Sequence, residues 1–188
     1  MGETVMATEG QEHAVLETTV LVNFLKIDRL DLLARHPKYR FVLTNHVRGE
    51  VTSDYPEQLE RLELAVSGKI FDEEAVDALD PTFVMLTREG RLGVGECAAI
   101  ALAVGKRLPI AIDDNRARKT AQRVLPAVVL EGTESVMVSL IASGILDVAA
   151  ADAIKADWEA NHRFTLKFGS FAEKPRNRET ESALSCLR

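Results

Sequence analysis

Residues 14–27 read AVLETTVLVNFLKI. An apolar run at 14–16 is broken by Glu17, Thr18 and Thr19, and 20–27 then sets Leu21, Phe24 and Leu25 at helical spacing. This is a buried strand handing over to an amphipathic helix, with a carboxylate and two hydroxyls at the junction. The pattern recurs. RFVLT (40–44), LPIAIDD (108–114) and AVVLEG (127–132) are apolar strand-like runs, each followed by a helical segment. The helices expected are 28–36 with Asp28 as N-cap, 45–53, 56–68 between Pro56 and Gly68, 93–106, 115–124, 133–144 and 147–162. The segments 69–75 and 81–87 fit either element. Alternation of this kind predicts an α/β fold in three layers, α/β/α, with a central parallel sheet flanked by helices.

Composition sets the bounds. With 188 residues, 46% hydrophobic and 28% charged, the chain suits one domain with loose ends. A flexible leader is expected at 1–12, the domain at 13–171 and a polar tail at 172–188. A net charge of −6 argues against gripping nucleic acid by a broad basic surface, but metal ions neutralise an acidic centre, so a nuclease is not excluded. Cys97 and Cys186 lie far apart, which speaks against a zinc cluster or disulfide framework and suits a reducing cytoplasm. The apolar runs fall short of the roughly 18 residues of a spanning helix, and the acidic N-terminus does not read as a secretory signal.

In a parallel sheet, functional groups gather beyond the carboxyl ends of the strands. Glu17 ends the first strand and Asp113 and Asp114 end LPIAIDD; Glu50 lies in the helix after RFVLT, and Glu96 opens the helix after Gly93 and Gly95. An oxygen-only set of this kind suits Mg²⁺ or Mn²⁺ rather than zinc. Such a centre activates water and neutralises charge at a phosphodiester. Taken singly, each of these acids reads more readily as a cap or turn residue than as a ligand. The pair Asp113 and Asp114 is not separable by spacing, and Arg116 and Arg118 read equally as surface ion-pair partners. Trp158 sits on an apolar helix stripe, as core or partner contact, and the dispersed histidines show no ligand spacing.

The segments VLVNFLKIDRLDLL, TNHVRGEV, LGVGECAAIALA, IAIDDNRARKTA and VLEGTESVMVSLIASGIL, in this order, resemble the PIN-domain ribonucleases. These include the toxins of type II toxin–antitoxin pairs, and the similarity, over about 14–170, is closest to a VapC-like branch of PIN nucleases. The resemblance implies metal acids at Glu17, Glu50, Glu96 and the Asp113–Asp114 pair, with Asp114 favoured as the nearer ligand. It implies one or two Mg²⁺ or Mn²⁺ ions that activate water for attack on RNA phosphate, single-stranded or tRNA. Thr18, Thr19 and Arg116 would orient carboxylates or substrate, and Arg116 and Arg118 would touch the RNA backbone, with surface ion pairs at least as ready an account of both arginines. A homodimer and an antitoxin partner belong to the same expectation, as does a cytoplasmic location. One departure is plain: the family begins its first motif with aspartate, and this chain has Glu17. The extra methylene shifts the carboxylate by about one C–C bond, which matters for an ion that demands near-octahedral geometry.

Two other functions are open on sequence. A PIN-fold module with a degenerate metal site would bind RNA or protein without cleaving. A phosphoryl-transfer domain, either a receiver or a haloacid-dehalogenase-like phosphatase, shares the sheet, but ETTVL lacks both aspartates of D-x-D-x-T and the aspartate pair here follows a late strand. The G-x-G at 93–95 is too short for a dinucleotide fingerprint.

Overall fold

The computed structural model describes residues 10–174. Five strands, β1 (Glu12–Leu16), β2 (Tyr39–Thr44), β3 (Asp72–Glu74), β4 (Ile110–Ala111) and β5 (Leu130–Glu131), form one sheet in the order β3-β2-β1-β4-β5, every pairing parallel. The helices are α1 (Thr18–Lys26), α2 (Leu30–Ala34), α3 (Asn45–Glu50), α4 (Pro56–Ser67), α5 (Pro81–Glu89), α6 (Val94–Lys106), α7 (Asn115–Val124), α8 (Thr133–Ala142) and α9 (Val148–Asn161). The order reverses direction between β1 and β4. A crevice therefore opens beyond the carboxyl ends of those two strands.

The two ambiguous segments resolve for local reasons. Residues 81–89 become α5 because Asp80 caps the Phe83 N–H at 2.9 Å, Pro81 takes the first helical position, and Gly90 closes the helix at φ 63°. Residues 72–74, all acidic, become a short charged edge strand beside β2, which discourages pairing with another chain. The strands at 108–114 and 127–132 are shorter than expected. Pro109 offers no N–H to extend β4 backwards, and Asp113 and Asp114 already serve the turn into α7.

Two expectations are corrected. Asp28 is not the N-cap of α2; it sits at φ 54°, its carboxylate pairs with Arg61 at 3.3 Å, and Arg29 holds the cap position. Arg118 is not a surface ion-pair residue: its Nη1 donates to the carbonyls of Ile112 and Glu131 at 2.7 and 2.6 Å, bolting β4 to β5. At the domain edges, β1 begins at Glu12 and a 3₁₀ turn occupies Phe171–Glu173, tied to Asp152 by Ser170 Oγ and the Phe171 N–H. The rest of the expected leader and tail, Cys186 included, lies outside the described residues.

The core is continuous across both faces. The alanine-rich α6 is buried from Cys97 to Ala103, small side chains allowing close approach to the sheet. Trp158 is fully buried, as a core residue: its indole N–H donates to the Asn23 carbonyl at 2.8 Å, and its ring meets Phe24 and Phe164 edge-on at 5.6 and 5.5 Å. It thereby clamps α9 onto α1, the helix that begins at the crevice. His36 is also buried, its Nδ1 accepting the Tyr39 N–H at 3.0 Å; burial holds its pKa down at about 4. Among the described residues, no helix is long and apolar enough to cross a membrane. Trp158→Ala is expected to cost about 3–5 kcal/mol of stability, read from the shift of the urea unfolding midpoint at unchanged m-value.

Candidate metal centre

Glu17 follows β1 directly, and its N–H donates to the Ala111 carbonyl of β4 at 3.0 Å. It is the N-cap of α1. Its Oε1 accepts the Thr19 N–H at 3.0 Å and the Thr19 hydroxyl at 3.2 Å. The residue is only 1% exposed, and Oε2 has no hydrogen-bond partner. Burial pushes the Glu17 pKa up to about 7; the Thr19 backbone bond opposes this, while the charges of Glu96 and Asp113 add to it. A buried carboxylate oxygen without a partner is costly in either protonation state.

Glu96 and Asp113 act on it through their charges, Glu50 and Asp114 act on Glu96, and each of the four is held by its own set of donors. Glu50, at the end of α3, takes the Thr18 hydroxyl on Oε2 and the Gly95 N–H on Oε1 at 2.7 Å. Glu96, in the first turn of α6, closes a capping bond to the Gly93 N–H at 2.8 Å. Burial chiefly raises its pKa, Gly93 opposes, and Asp114 and Glu50 add to the rise. Asp113 accepts the Thr133 N–H at 2.9 Å on Oδ1, and on Oδ2 the Thr133 hydroxyl at 2.6 Å and the Asn23 amide at 3.2 Å. Asp114 caps α7, its Oδ1 accepting the Arg116 and Ala117 N–H groups at 2.8 Å.

The crevice thus gathers Glu17, Glu50, Glu96, Asp113 and Asp114 into one electrostatic neighbourhood. Glu50 and Asp113 have both oxygens engaged. Glu96 Oε1, Asp114 Oδ2 and the orphaned Glu17 Oε2 stand outside these hydrogen bonds. Thr18 and Thr19 orient carboxylates, one each. Arg116 is exposed and donates to the Arg91 carbonyl at 3.2 Å. Among the described residues, no three His, Cys, Asp or Glu side chains stand in a ready-made metal cage.

Sequence reasoning missed Asn23, Thr133, Gly95 and Gly132. Asn23 carried a signal: it lies on the buried face of α1 with Val20, Leu21 and Phe24, where a polar side chain requires a partner. It also donates to Thr133 Oγ1 at 3.0 Å. Thr133 and the glycines carried none, since their partners are distant in the chain.

An oxygen-only donor set around an orphaned buried carboxylate oxygen fits a hard divalent cation, which would relieve that oxygen's missing interaction. Sheet order and acids together define an α/β class of protein with an acidic crevice at the point where the strand order reverses. A family model for the PIN domain matches residues 13–162, and the chain belongs to the PIN-domain family, whose members are in general metal-dependent nucleases. No curated protein matches. Solved structures similar at low identity include the following two. A PilT N-terminus domain protein from the hyperthermophilic archaeon Sulfolobus solfataricus P2 is 19% identical, with 66% of this chain and 89% of that one covered and a TM-score of 0.45. VapBC2 from Rickettsia felis, bound to a DNA fragment from its promoter, is 13% identical, with 64% and 98% covered and a TM-score of 0.44.

The raised Glu17 pKa has a signed consequence in metal-free protein. The folded state binds this proton more tightly than the unfolded state. The stability it contributes is full below the ordinary value of 4.5 and is lost as pH rises through about 7. Glu17→Gln, which stays neutral, is expected to gain roughly 3 kcal/mol on the parent between pH 4 and pH 8 in EDTA. Urea titrations of both proteins across this range check it; parallel curves would refute the shift.

Proposed function

We propose that the chain is a divalent-metal-dependent endoribonuclease, with Glu17, Glu96 and Asp114 holding Mg²⁺ or Mn²⁺. The observation that carries this is the buried, unpartnered Oε2 of Glu17 beside the charges of Glu96 and Asp113. Bound metal supplies charge neutralisation at a phosphodiester and a lowered pKa for water.

The chain's own residues do the rest. Thr19 fixes the Glu17 carboxylate through Oε1 and leaves Oε2 free for the ion. The capping bonds to Gly93 and to the first turn of α7 leave one oxygen each on Glu96 and Asp114. Glu50 and Asp113 are held as acceptors on both oxygens, so they shape the field around the ligands. Asp113 also anchors the β4–α7 turn to α8 and α1. Arg116 is an exposed cation beside Glu96, placed for the RNA backbone once it leaves the Arg91 carbonyl. The glutamate at 17 retains the carboxylate oxygens of the aspartate it replaces, and Thr19 holds it through Oε1. An RNA substrate, single-stranded or tRNA, an antitoxin partner, a homodimer and a cytoplasmic location belong to the same proposal and rest on family membership.

One observation favours a second function, a non-catalytic PIN-fold module that binds RNA or protein: among the described residues, no three acids are gathered at ligating geometry. Cleavage assays separate the two. With Mn²⁺ the parent is expected to cut single-stranded RNA and to stop in EDTA, while Glu96→Gln and Asp114→Asn each lose roughly a hundredfold or more. Glu17→Asp, restoring the family's residue, is expected to keep activity. Folded protein that binds RNA, never cuts it, and gains cleavage only with Glu17→Asp would establish the second function.

A further inference from the structure

The first turn of α6 contains a glycine whose absent side chain is replaced by a carboxylate. A Cβ built at Gly95 would lie 2.6 Å from Glu50 Oε1, closer than real Cβ atoms come, and its other nearest atoms also belong to that carboxylate. The Gly95 N–H donates to the same Oε1 at 2.7 Å. Gly95 does not take a positive φ, so its backbone asks nothing that alanine cannot supply. Alanine is also the better helix former at this place. The glycine therefore costs helix stability and returns only space, and Glu50 fills that space.

We infer that Gly95 is a positioning residue for Glu50, a seat that holds its carboxylate at the acid centre; this role rests on the nuclease function proposed above. The Thr18 hydroxyl closes the seat from α1. What a Cβ would displace is the far end of a flexible side chain, not backbone, so the fold yields cheaply and the centre does not. Gly132 offers a contrast. Its Cβ would meet Asp113 Oδ1 at 2.7 Å and the Ile112 carbonyl at 3.5 Å. Asp113 is short and held by Thr133 and Asn23, so that site has little room to give. Gly105 lies on the same helix as Gly95, and a Cβ there would meet nothing within 4 Å, so it isolates the helix-propensity gain.

The test uses the full chain with Gly95→Ala, Gly105→Ala, Glu50→Asp and Glu50→Ala, alone and combined. Gly105→Ala is expected to raise the urea midpoint and leave cleavage unchanged. Gly95→Ala is expected to remain folded, with kcat on RNA down about tenfold or more and KM within about twofold. In the Glu50→Asp background, whose shorter side chain withdraws from the seat, Gly95→Ala is expected to cost less than about twofold further. Denaturation reads the seat without any activity: Gly95→Ala is expected to raise the midpoint more in the Glu50→Ala background than in the parent. Parental cleavage by Gly95→Ala, or an equal slowing in both backgrounds, overturns the inference. Should the parent itself fail to cleave with Mn²⁺, the nuclease function falls, and the seat stands or falls on the denaturation cycle alone. Equal midpoint gains in the two backgrounds overturn it.

Discussion

A carboxylate buried at the end of a central strand, with one oxygen left without a partner, is the constraint on which the rest of this molecule turns. Glu17 cannot retreat into solvent, because β1 lies in the middle of the sheet and its own N–H is spent on β4. It cannot satisfy both oxygens locally, because Thr19 reaches only one. An isolated buried charge of this kind is tolerated only by protonation or by a cation. The neighbours Glu96 and Asp113 are also acids, and their charges push Glu17 further toward protonation; the proposed metal would reverse that push.

The surrounding elements solve a positioning problem common to acidic centres, namely how to hold like charges together. Each carboxylate is tied to N–H or O–H donors rather than to a basic side chain. Backbone N–H groups at the starts of α1, α6, α7 and α8 take on that duty, and those groups lack intrahelical partners in any case. Helix termini thus take the place of arginines and lysines as the hydrogen-bond donors to these carboxylates. The glycines beside Glu50 and Asp113 leave the volume in which these carboxylates sit.

Much of the fold was legible in the sequence because periodicity reports burial. Strand–helix alternation pointed to the parallel sheet, and the ends of β1 and β4 marked where acids would meet. Residues 69–75 and 81–87 were less legible because a charged edge strand and a short capped helix carry little apolar pattern. Asp28 and Arg118 misled for a shared reason: their partners, Arg61 and the carbonyls of Ile112 and Glu131, come from tertiary packing. The acids themselves were visible as residue types at strand and helix ends. The division between Glu17, Glu96 and Asp114, with an oxygen to spare, and Glu50 and Asp113, with none, was not. That depends on donors from Gly95, Asn23 and Thr133, far away in the chain.

Whether this chain is a nuclease comes down to whether Glu17, with its added methylene, still completes a metal centre. A crystal structure of the chain soaked in Mn²⁺, with the ion located by its anomalous signal, answers that directly. The expected outcome is an ordered ion coordinated by Glu17 Oε2 together with Glu96 and Asp114, Glu17 remaining capped to Thr19. A vacant crevice at saturating Mn²⁺, or an ion bound with Glu17 turned away, would contradict it.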